Sequence, residues 1–377
     1  MNASIRLHDS DEQFLAAPHI EAIPLTTPFV GPEQLMRENG HRSLLRLGAN
    51  ESAFGPPPSA VTAMAAELPH LSWYGDPESY DLRAALAVKH GCGVEHISVG
   101  SGIDDLMGLA VRAFVQPGAV ALTTRGTYPT FNYHVIGFGG RLDAVAYRDD
   151  GHVDVDGLIA RAREIKPSIV YVANPDNPSG TLLHVRDIMR LFEGIPPQSL
   201  LLLDEAYADF VGADEVLPTL LHGRLLRVRT FSKAYGMAGA RIGYAIGSER
   251  NVQTFQKIRL HYGVNRNAQI GALASLRDEQ FRRHVVDEVR RGCEDYYALA
   301  RSLGLPYLES HANFVCIDFS TKERAAQVMN ALLAAGVFVR KPGAAPLDRF
   351  VRFSVGTPDE RRELGTRLRS ILADRQA

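Results

Sequence analysis

Short apolar runs recur through the middle of the chain, and segments of helical length separate most of them. Three to five apolar residues without polar alternation are typical of a strand that is buried on both faces. Such runs, mostly with helices between them, predict an α/β fold with a largely parallel sheet covered on both faces. They are Ile97–Val99, Val120–Thr123, Leu142–Ala146, Ile169–Ala173, Leu200–Leu203, Leu225–Val228 and Ile242–Ile246.

The two ends of the chain follow a different pattern. The first 50 residues carry several prolines and no strong periodicity, which predicts an arm that lies over another surface. After residue 265, helical stretches at 266–303 and 322–335 bracket short strands near Asn313–Ile317, Val337–Val339 and Phe350–Val355. This pattern predicts a smaller α+β domain. The predicted divisions are 1–50 for an arm that joins the small domain, 51–262 for the large domain and 263–377 for the small domain.

Composition and charge narrow the class of protein. Of 377 residues, 41 are Lys or Arg and 43 are Asp or Glu, so a net charge of -2 provides no field for nucleic acid or an anionic membrane. The three cysteines lack metal-ligand or redox spacing, which suits a reducing compartment and predicts no metal site. No apolar signal core or run of 18 apolar residues occurs. We therefore expect a soluble cytoplasmic protein.

Residues capable of chemistry follow several of the predicted strands. In a parallel sheet, ligands bind beyond the carboxyl ends of the strands, so side chains from separate strands converge there. Gly102 also precedes a well-marked helix, whose free N–H groups and dipole suit a phosphate. The candidates at these ends are Gly102, Ile103, Asp104, Tyr128, Asn177, Asp204, Tyr207 and Lys233.

The strongest pattern lies between Asp204 and Arg241. An acid at a strand end can keep a pyridine nitrogen protonated, and the Tyr207 hydroxyl can donate to a ring oxygen. Lys233 can form a Schiff base, while Ser232 and Arg241 can bind a phosphate. These are the groups that pyridoxal 5'-phosphate requires. Asn177 is a plausible donor to the same ring oxygen, and Tyr128 can stack on the pyridine ring.

Two nucleotide-binding interpretations are weaker. The strand that ends in Asp204-Glu205 resembles the acidic strand of a nucleotidase, but no Gly-Lys dipeptide for a phosphate loop occurs in the chain. Gly100-Ser101-Gly102 lacks the third glycine of a dinucleotide loop.

The chain resembles the fold-type I aminotransferases of class I and II, and among them the histidinol-phosphate aminotransferase family. The resemblance extends over nearly the whole chain and implies a seven-stranded large domain with a smaller α+β domain. The segments that carry it are Asn50-Glu51, Trp73-Tyr74-Gly75-Asp76-Pro77, Gly102-Ile103-Asp104, Asn177-Pro178-Ser179-Gly180, Asp204-Glu205-Ala206-Tyr207, Ser232-Lys233, Gly239-Ala240-Arg241, Asn313-Phe314 and Val351 to Thr357.

The resemblance implies a role for each candidate. Lys233 would hold the cofactor and move the proton, with Asp204 on the ring nitrogen, Tyr207 and Asn177 on the ring oxygen and Tyr128 on the ring face. The phosphate would be bound by Gly102, Ile103, Asp104, Ser232 and Arg241, and by Tyr74 of a neighbouring subunit. The family thus implies a homodimer with shared active sites. Substrate contacts would come from Arg352, Arg340, Phe29 and Asn50.

The implied reaction moves an amino group from a donor to a 2-oxo acid, 2-oxoglutarate by expectation. Histidinol phosphate is the leading donor. Phe29 lacks the hydroxyl usual in the family, and Gly48 and Ser52 replace asparagines, so an aromatic or other hydrophobic amino acid is the alternative donor. An amino-acid decarboxylase of the same fold also remains open. A regulator of this fold would need a DNA-binding module before the arm, for which we expect no room.

Overall fold

The computed structural model describes residues 16–24, 30–40 and 43–373. Its strands are β1 Leu45–Arg46, β2 Ile97–Gly100, β3 Val120–Thr124, β4 Arg141–Val145, β5 Ile169–Ala173, β6 Leu200–Asp204, β7 Leu225–Thr230, β8 Gly243–Gly247, β9 Phe314–Asp318, β10 Val337–Phe338 and β11 Phe350–Ser354. Its helices are α1 Pro18–Glu21, α2 Pro32–Asn39, α3 Pro58–Glu67, α4 Tyr80–His90, α5 Ile103–Phe114, α6 Thr130–Gly137, α7 Val155–Ile165, α8 Val185–Gly194, α9 Glu249–Gln256, α10 Arg266–Arg277, α11 Glu279–Ser302, α12 Lys322–Ala334 and α13 Pro358–Ala373.

The central sheet has seven strands in the order β2-β8-β7-β6-β5-β3-β4. Strand β8 runs antiparallel to both of its neighbours, and the other pairings are parallel. Each strand overlaps one of the seven apolar runs, so the predicted α/β fold class is confirmed. Parallel pairing places the carboxyl ends of β5, β6 and β7 side by side, with Ala173 opposite Asp204 and Asp204 opposite Val228.

Helices cover both faces of this sheet. On one face, apolar residues of α5, α6 and α9 pack against alternate residues of the strands, among them Tyr171, Leu202 and Val228. On the other face, α7 and α8 pack against the intervening residues, among them Val172 and Leu203. Burial on both faces explains why the strands lack polar alternation.

The remaining strands lie outside this sheet, and β9 pairs antiparallel with β11. Residues of these two strands share a core with α11, α12 and α13. Strand β1, from the predicted arm, pairs in parallel with β10. One edge of the C-terminal layer is therefore formed by residues near the start of the chain.

The packing of helix α10 indicates where the large domain ends and the small domain begins. The predicted stretch 266–303 is broken at Asp278, whose side chain accepts a hydrogen bond from the Phe281 N–H and caps α11. Residues Ala268 and Ala272 of α10 are buried with Leu82 and Leu86 of α4, on the side of the large sheet. Because α10 packs there and α11 packs with the C-terminal strands, we propose that the boundary lies at Asp278 rather than at residue 262.

Within the described ranges, no helix is both long enough and apolar enough to cross a membrane. Among the same residues, no group of three or more His, Cys, Asp or Glu side chains is placed to hold a metal ion.

Candidate active site

Asp204 lies at the carboxyl end of β6 and is only 4% exposed. Its Oδ2 accepts a hydrogen bond of 2.8 Å from the Tyr171 hydroxyl on β5, and its Oδ1 accepts one of 3.0 Å from the Ala206 N–H. Burial raises the pKa of Asp204 to about 6, although both hydrogen bonds oppose the rise. A cation placed against this carboxylate would favour its ionised form, as a protonated pyridine nitrogen does.

Lys233 follows β7, and its Nζ donates a hydrogen bond of 2.9 Å to the Asn50 carbonyl. The same Nζ lies 5.7 Å from the centroid of the Tyr207 ring. Burial of the amine, assisted by the positive charge of Arg352, lowers the pKa of Lys233 to about 8. A neutral amine is the nucleophile in Schiff-base formation, so this environment favours attack on a carbonyl carbon.

The amino end of α5 lies against Arg241 and Tyr128. Gly102 precedes the helix with φ 88°, and a Cβ built there would lie 2.6 Å from an Arg241 guanidinium nitrogen. Arg241 donates to Asp104 Oδ2 at 3.3 Å, and the Tyr128 hydroxyl donates to Asp104 Oδ1 at 3.0 Å. The Asp104 carboxylate thus positions Arg241 and Tyr128, while the first N–H groups of the helix suit a phosphate.

Tyr207 lies at the centre of a buried polar cluster. Its hydroxyl accepts hydrogen bonds from Asn50 Nδ2 at 2.9 Å and from Asn177 Nδ2 at 3.3 Å. Burial raises the pKa of this phenol to about 12. Tyr207 therefore stays protonated at neutral pH and can donate to an anionic oxygen.

The two predicted substrate arginines lie on neighbouring segments joined by backbone hydrogen bonds. Arg352 donates through its terminal nitrogens to Asn177 Oδ1 at 2.5 Å and to the Gly48 carbonyl at 3.1 Å. Its buried Nε has no hydrogen-bond partner among the described residues. The Arg340 guanidinium donates to the Val30 carbonyl at 2.8 Å. Both guanidinium groups thus lie on the side of the site that is formed by the C-terminal strands β10 and β11.

Some of the predicted site residues are not brought together. Tyr74 is 77% exposed and packs against Tyr262 in a tilted arrangement, with ring centroids 4.5 Å apart. Phe29 lies outside the described residues. Hydrogen bonds join Asn50, Asn177, Tyr207, Lys233 and Arg352 in one cluster. A second cluster consists of Asp104, Tyr128 and Arg241, with Gly102 beside Arg241. The charge of Asp204 acts on Tyr207 and Lys233 from the end of β6, and Ile103 and Ser232 are adjacent to cluster residues in sequence.

Two residues of the site have no counterpart in the sequence analysis. Tyr171, which holds Asp204, lies in an apolar strand and stacks on Phe131 at 4.6 Å, so from its sequence context it is an ordinary core aromatic. Ser354 accepts a hydrogen bond from the Asn50 N–H at 2.9 Å. The only available signal was its place in the segment Val351 to Thr357.

The donor set fits pyridoxal 5'-phosphate on three separate counts. A buried amine of lowered pKa stands beside Tyr207, a buried carboxylate of raised pKa ends β6, and the Gly102 turn admits a ligand where a side chain would collide with Arg241. The two buried ionisable groups disfavour the unliganded fold, because burial without a charged partner costs free energy. Their convergence is explained by a ligand with an aldehyde, a basic ring nitrogen and a phosphate.

Comparison with known proteins gives a consistent family assignment. Residues 42–368 match the family described as aminotransferase class I and II. A histidinol-phosphate aminotransferase of Moorella thermoacetica is 34% identical over 366 residues, which cover 94% of this chain and 92% of that protein. A second relative, histidinol-phosphate aminotransferase 2 of Ralstonia nicotianae, is 34% identical and covers 96% of both chains.

Solved structures agree with this assignment. The crystal structure of histidinol-phosphate aminotransferase from Sinorhizobium meliloti, in complex with pyridoxal 5'-phosphate, superposes with a TM-score of 0.92. It is 39% identical and covers 95% of this chain and 98% of its own. An aspartate aminotransferase variant of Thermus thermophilus, 22% identical with a TM-score of 0.78 over 94% of this chain and 99% of its own, shares the fold.

Proposed function

The chain belongs to the class I and II aminotransferases, and from this premise we propose that it transfers the amino group of histidinol phosphate to 2-oxoglutarate. The choice of donor rests on the near full-length similarity of the chain to histidinol-phosphate aminotransferases. A pair of guanidinium groups on the C-terminal side of the site, Arg340 and Arg352, supports it because the donor and the 2-oxo acid are anionic.

The cofactor is pyridoxal 5'-phosphate, which when bound withdraws electrons from the bonds of the amino-bearing carbon. Lys233 binds it covalently and then moves a proton at the carbon of the substrate. An amine whose pKa is near 8 suits both tasks, because it exchanges a proton readily close to neutral pH. Asp204 holds positive charge on the ring nitrogen, and Tyr171 fixes the orientation of that carboxylate.

Arg352 binds the carboxylate of the 2-oxo acid in this proposal. Its guanidinium is held by Asn177 and Gly48, and a buried Nε–H remains for a further acceptor. A buried donor without a partner costs free energy, so an anion at this position gains from pairing with it. Arg340 binds the distal anionic group, which in histidinol phosphate is the phosphate.

The donor is tested by following the absorbance of the bound cofactor when single amines are added. Histidinol phosphate should convert the cofactor with a kcat/KM at least about 10-fold above that of histidinol, because the phosphate adds charge-assisted hydrogen bonds. Replacing Arg340 with alanine should remove most of that difference. Faster reaction with phenylalanine than with histidinol phosphate would instead support the alternative of an aromatic donor.

We also propose a homodimer, with a contact surface formed by exposed apolar side chains near Tyr74. A monomer rarely leaves so many large apolar groups in water, and Tyr74 has no role in its own subunit. The patch consists of Val61, Leu68, Leu71, Trp73, Tyr74, Leu260 and Tyr262, all more than half exposed. A second copy of the chain would cover the patch and receive Tyr74 at its phosphate site.

Mixed dimers test the sharing of sites. Tyr74→Ala and Lys233→Ala should each be impaired alone, yet subunit exchange should restore up to about one-quarter of the wild-type activity, because half of the dimers are mixed and each has one complete site. Sedimentation of the unmodified protein should show a dimer. A fully active monomer, or no recovery after verified exchange, would contradict shared sites.

A further inference from the structure

The direction of the hydrogen bonds around Tyr207 decides what its hydroxyl can do. A phenol has one proton to donate and two lone pairs that accept. The side-chain N–H groups of Asn50 and Asn177 both donate to the Tyr207 hydroxyl oxygen. No acceptor for the hydroxyl proton lies within hydrogen-bonding distance in the described part of the chain. The proton is thus available for a ligand, provided that neither amide turns its oxygen toward Tyr207.

The orientation of the Asn177 amide is fixed by Arg352. A guanidinium can only donate, so the group of Asn177 that faces Arg352 at 2.5 Å must be the oxygen. Its NH₂ group consequently faces Tyr207. This side of the cluster cannot reverse while Arg352 stays in place.

The orientation of the Asn50 amide is fixed by Ser354. The Ser354 hydroxyl accepts a hydrogen bond of 2.9 Å from the Asn50 backbone N–H, and it donates one of 3.0 Å to Asn50 Oδ1. The hydroxyl proton cannot point to the backbone N–H, and among the described residues the Asn50 side-chain oxygen is its only acceptor, so this buried proton is satisfied only when it points to Oδ1. The Nδ2 group of Asn50 is then directed at Tyr207 at 2.9 Å.

The surroundings hold Ser354 itself in place. Its carbonyl accepts a hydrogen bond from the Tyr296 hydroxyl at 2.9 Å, and its N–H donates to the Leu47 carbonyl at 2.9 Å. Asn50 has φ 53°, a conformation that asparagine adopts more readily than most residues. Both partners are almost wholly buried, so water does not compete for these hydrogen bonds.

We propose that Ser354 and Asn50 are positioning residues that direct the Tyr207 hydroxyl proton toward the ring oxygen of the cofactor. The inference rests on the proposed function as a pyridoxal phosphate enzyme and adds two residues to it. It assigns to Asn50 a task other than the predicted substrate contact, because both ends of its amide are already bonded to Ser354 and Tyr207. Without the serine hydroxyl, the amide can rotate and accept the proton of Tyr207 itself.

The test is a pH titration of the absorbance of the loaded enzyme. The ring oxygen carries its full negative charge only when the nitrogen that links Lys233 to the cofactor is deprotonated, so a donor to that oxygen favours the deprotonated form. Ser354→Ala should therefore raise the pH of the absorbance change by roughly half a unit to one unit. Tyr207→Phe should raise it by at least as much. In the double variant, Ser354→Ala should add nothing to the effect of Tyr207→Phe.

Two controls make the titration decisive. Ser199→Ala removes an equally buried hydroxyl, which donates to the Pro167 carbonyl away from the site, and should leave the absorbance change at its wild-type pH. If Ser354→Ala fails to fold, the isosteric pair Ser354→Thr and Ser354→Val replaces it, and only the valine variant should show the shift.

Other outcomes have separate meanings. An unshifted Ser354→Ala beside a shifted Tyr207→Phe would overturn the inference, as would a full additional shift in the double variant. A wild-type protein that binds no cofactor at Lys233 would instead overturn the proposed function.

Discussion

Replacing Lys233 with alanine is expected to abolish covalent binding of the cofactor and to lower transamination by more than about 10⁴-fold, because one side chain supplies both the nucleophile and the proton-transfer group. The loaded wild-type protein should show the absorbance of a Schiff base, and borohydride reduction should fix the cofactor to the peptide that contains Lys233. Lys257→Ala, which removes an exposed lysine, is the matched control and should behave as wild type.

The rate at which the cofactor-free protein binds the cofactor at Lys233 should increase with pH. With a pKa of about 8, about one-tenth of the Lys233 amine is neutral at pH 7, against less than about 0.1% for a lysine of ordinary pKa. The loading rate should therefore rise between pH 6 and 8 and level off above that range. Attachment of the cofactor to another lysine would show that the site is assigned wrongly.

Replacing Asp204 with asparagine is expected to lower turnover by at least about 10³-fold while cofactor still binds to Lys233. The carboxylate stabilises positive charge on the ring nitrogen, and a neutral amide that presents N–H to that nitrogen does the opposite. Single-turnover absorbance measurements separate this loss from weaker cofactor binding. Asp318→Asn removes a buried acid that pairs with Arg349 at the far end of β9, and it should keep most of the activity. Near-normal turnover of Asp204→Asn would show that the Asp204 carboxylate has only a structural role.

The same substitution should stabilise the cofactor-free protein at pH 8. Burial raises the pKa of Asp204 from 3.8 to about 6, so the folded state binds a proton more tightly than the unfolded state. The contribution of this proton to the free energy of unfolding is fully present below pH 3.8 and is lost as the pH rises through 6. Its size is on the order of 3 kcal/mol. Asparagine avoids that loss, so thermal unfolding of the variant should occur at higher temperature at pH 8 but not at pH 4. Equal destabilisation at both pH values would contradict this.

The sequence predicted the central sheet well because its signal is local. Each strand is a short apolar run, and the acids, glycines and prolines that end the runs are adjacent to them in the chain. The candidate site residues Asp204, Tyr207 and Lys233 could be predicted for the same reason, since each ends or closely follows a strand. The break at Asp278 was missed because both flanking helices have good helical periodicity and only the cap of α11 marks the boundary.

Contacts between distant segments could not be predicted in this way. Tyr171 reads as a core aromatic, and only the pairing of β5 with β6 brings its hydroxyl to Asp204. Ser354 reads as one polar residue in an apolar strand until the fold brings Asn50 beside it. The tasks of Tyr74 and Phe29 stay predictions, because one is exposed and the other lies outside the described residues.

The pairing of β1 with β10 affects the order in which the enzyme becomes complete during synthesis. Leu45 and Arg46 leave the ribosome long before Val337 and Phe338 exist, and Asn50 must wait for Ser354, 304 residues later. The large sheet can form from the emerging chain, but the Asn50 that contacts Lys233 and Tyr207 is held in place only after Ser354 has been synthesised. A nascent chain stalled before residue 337 would thus expose an unpaired N-terminal strand to chaperones or to aggregation, and it would hold no finished catalytic centre.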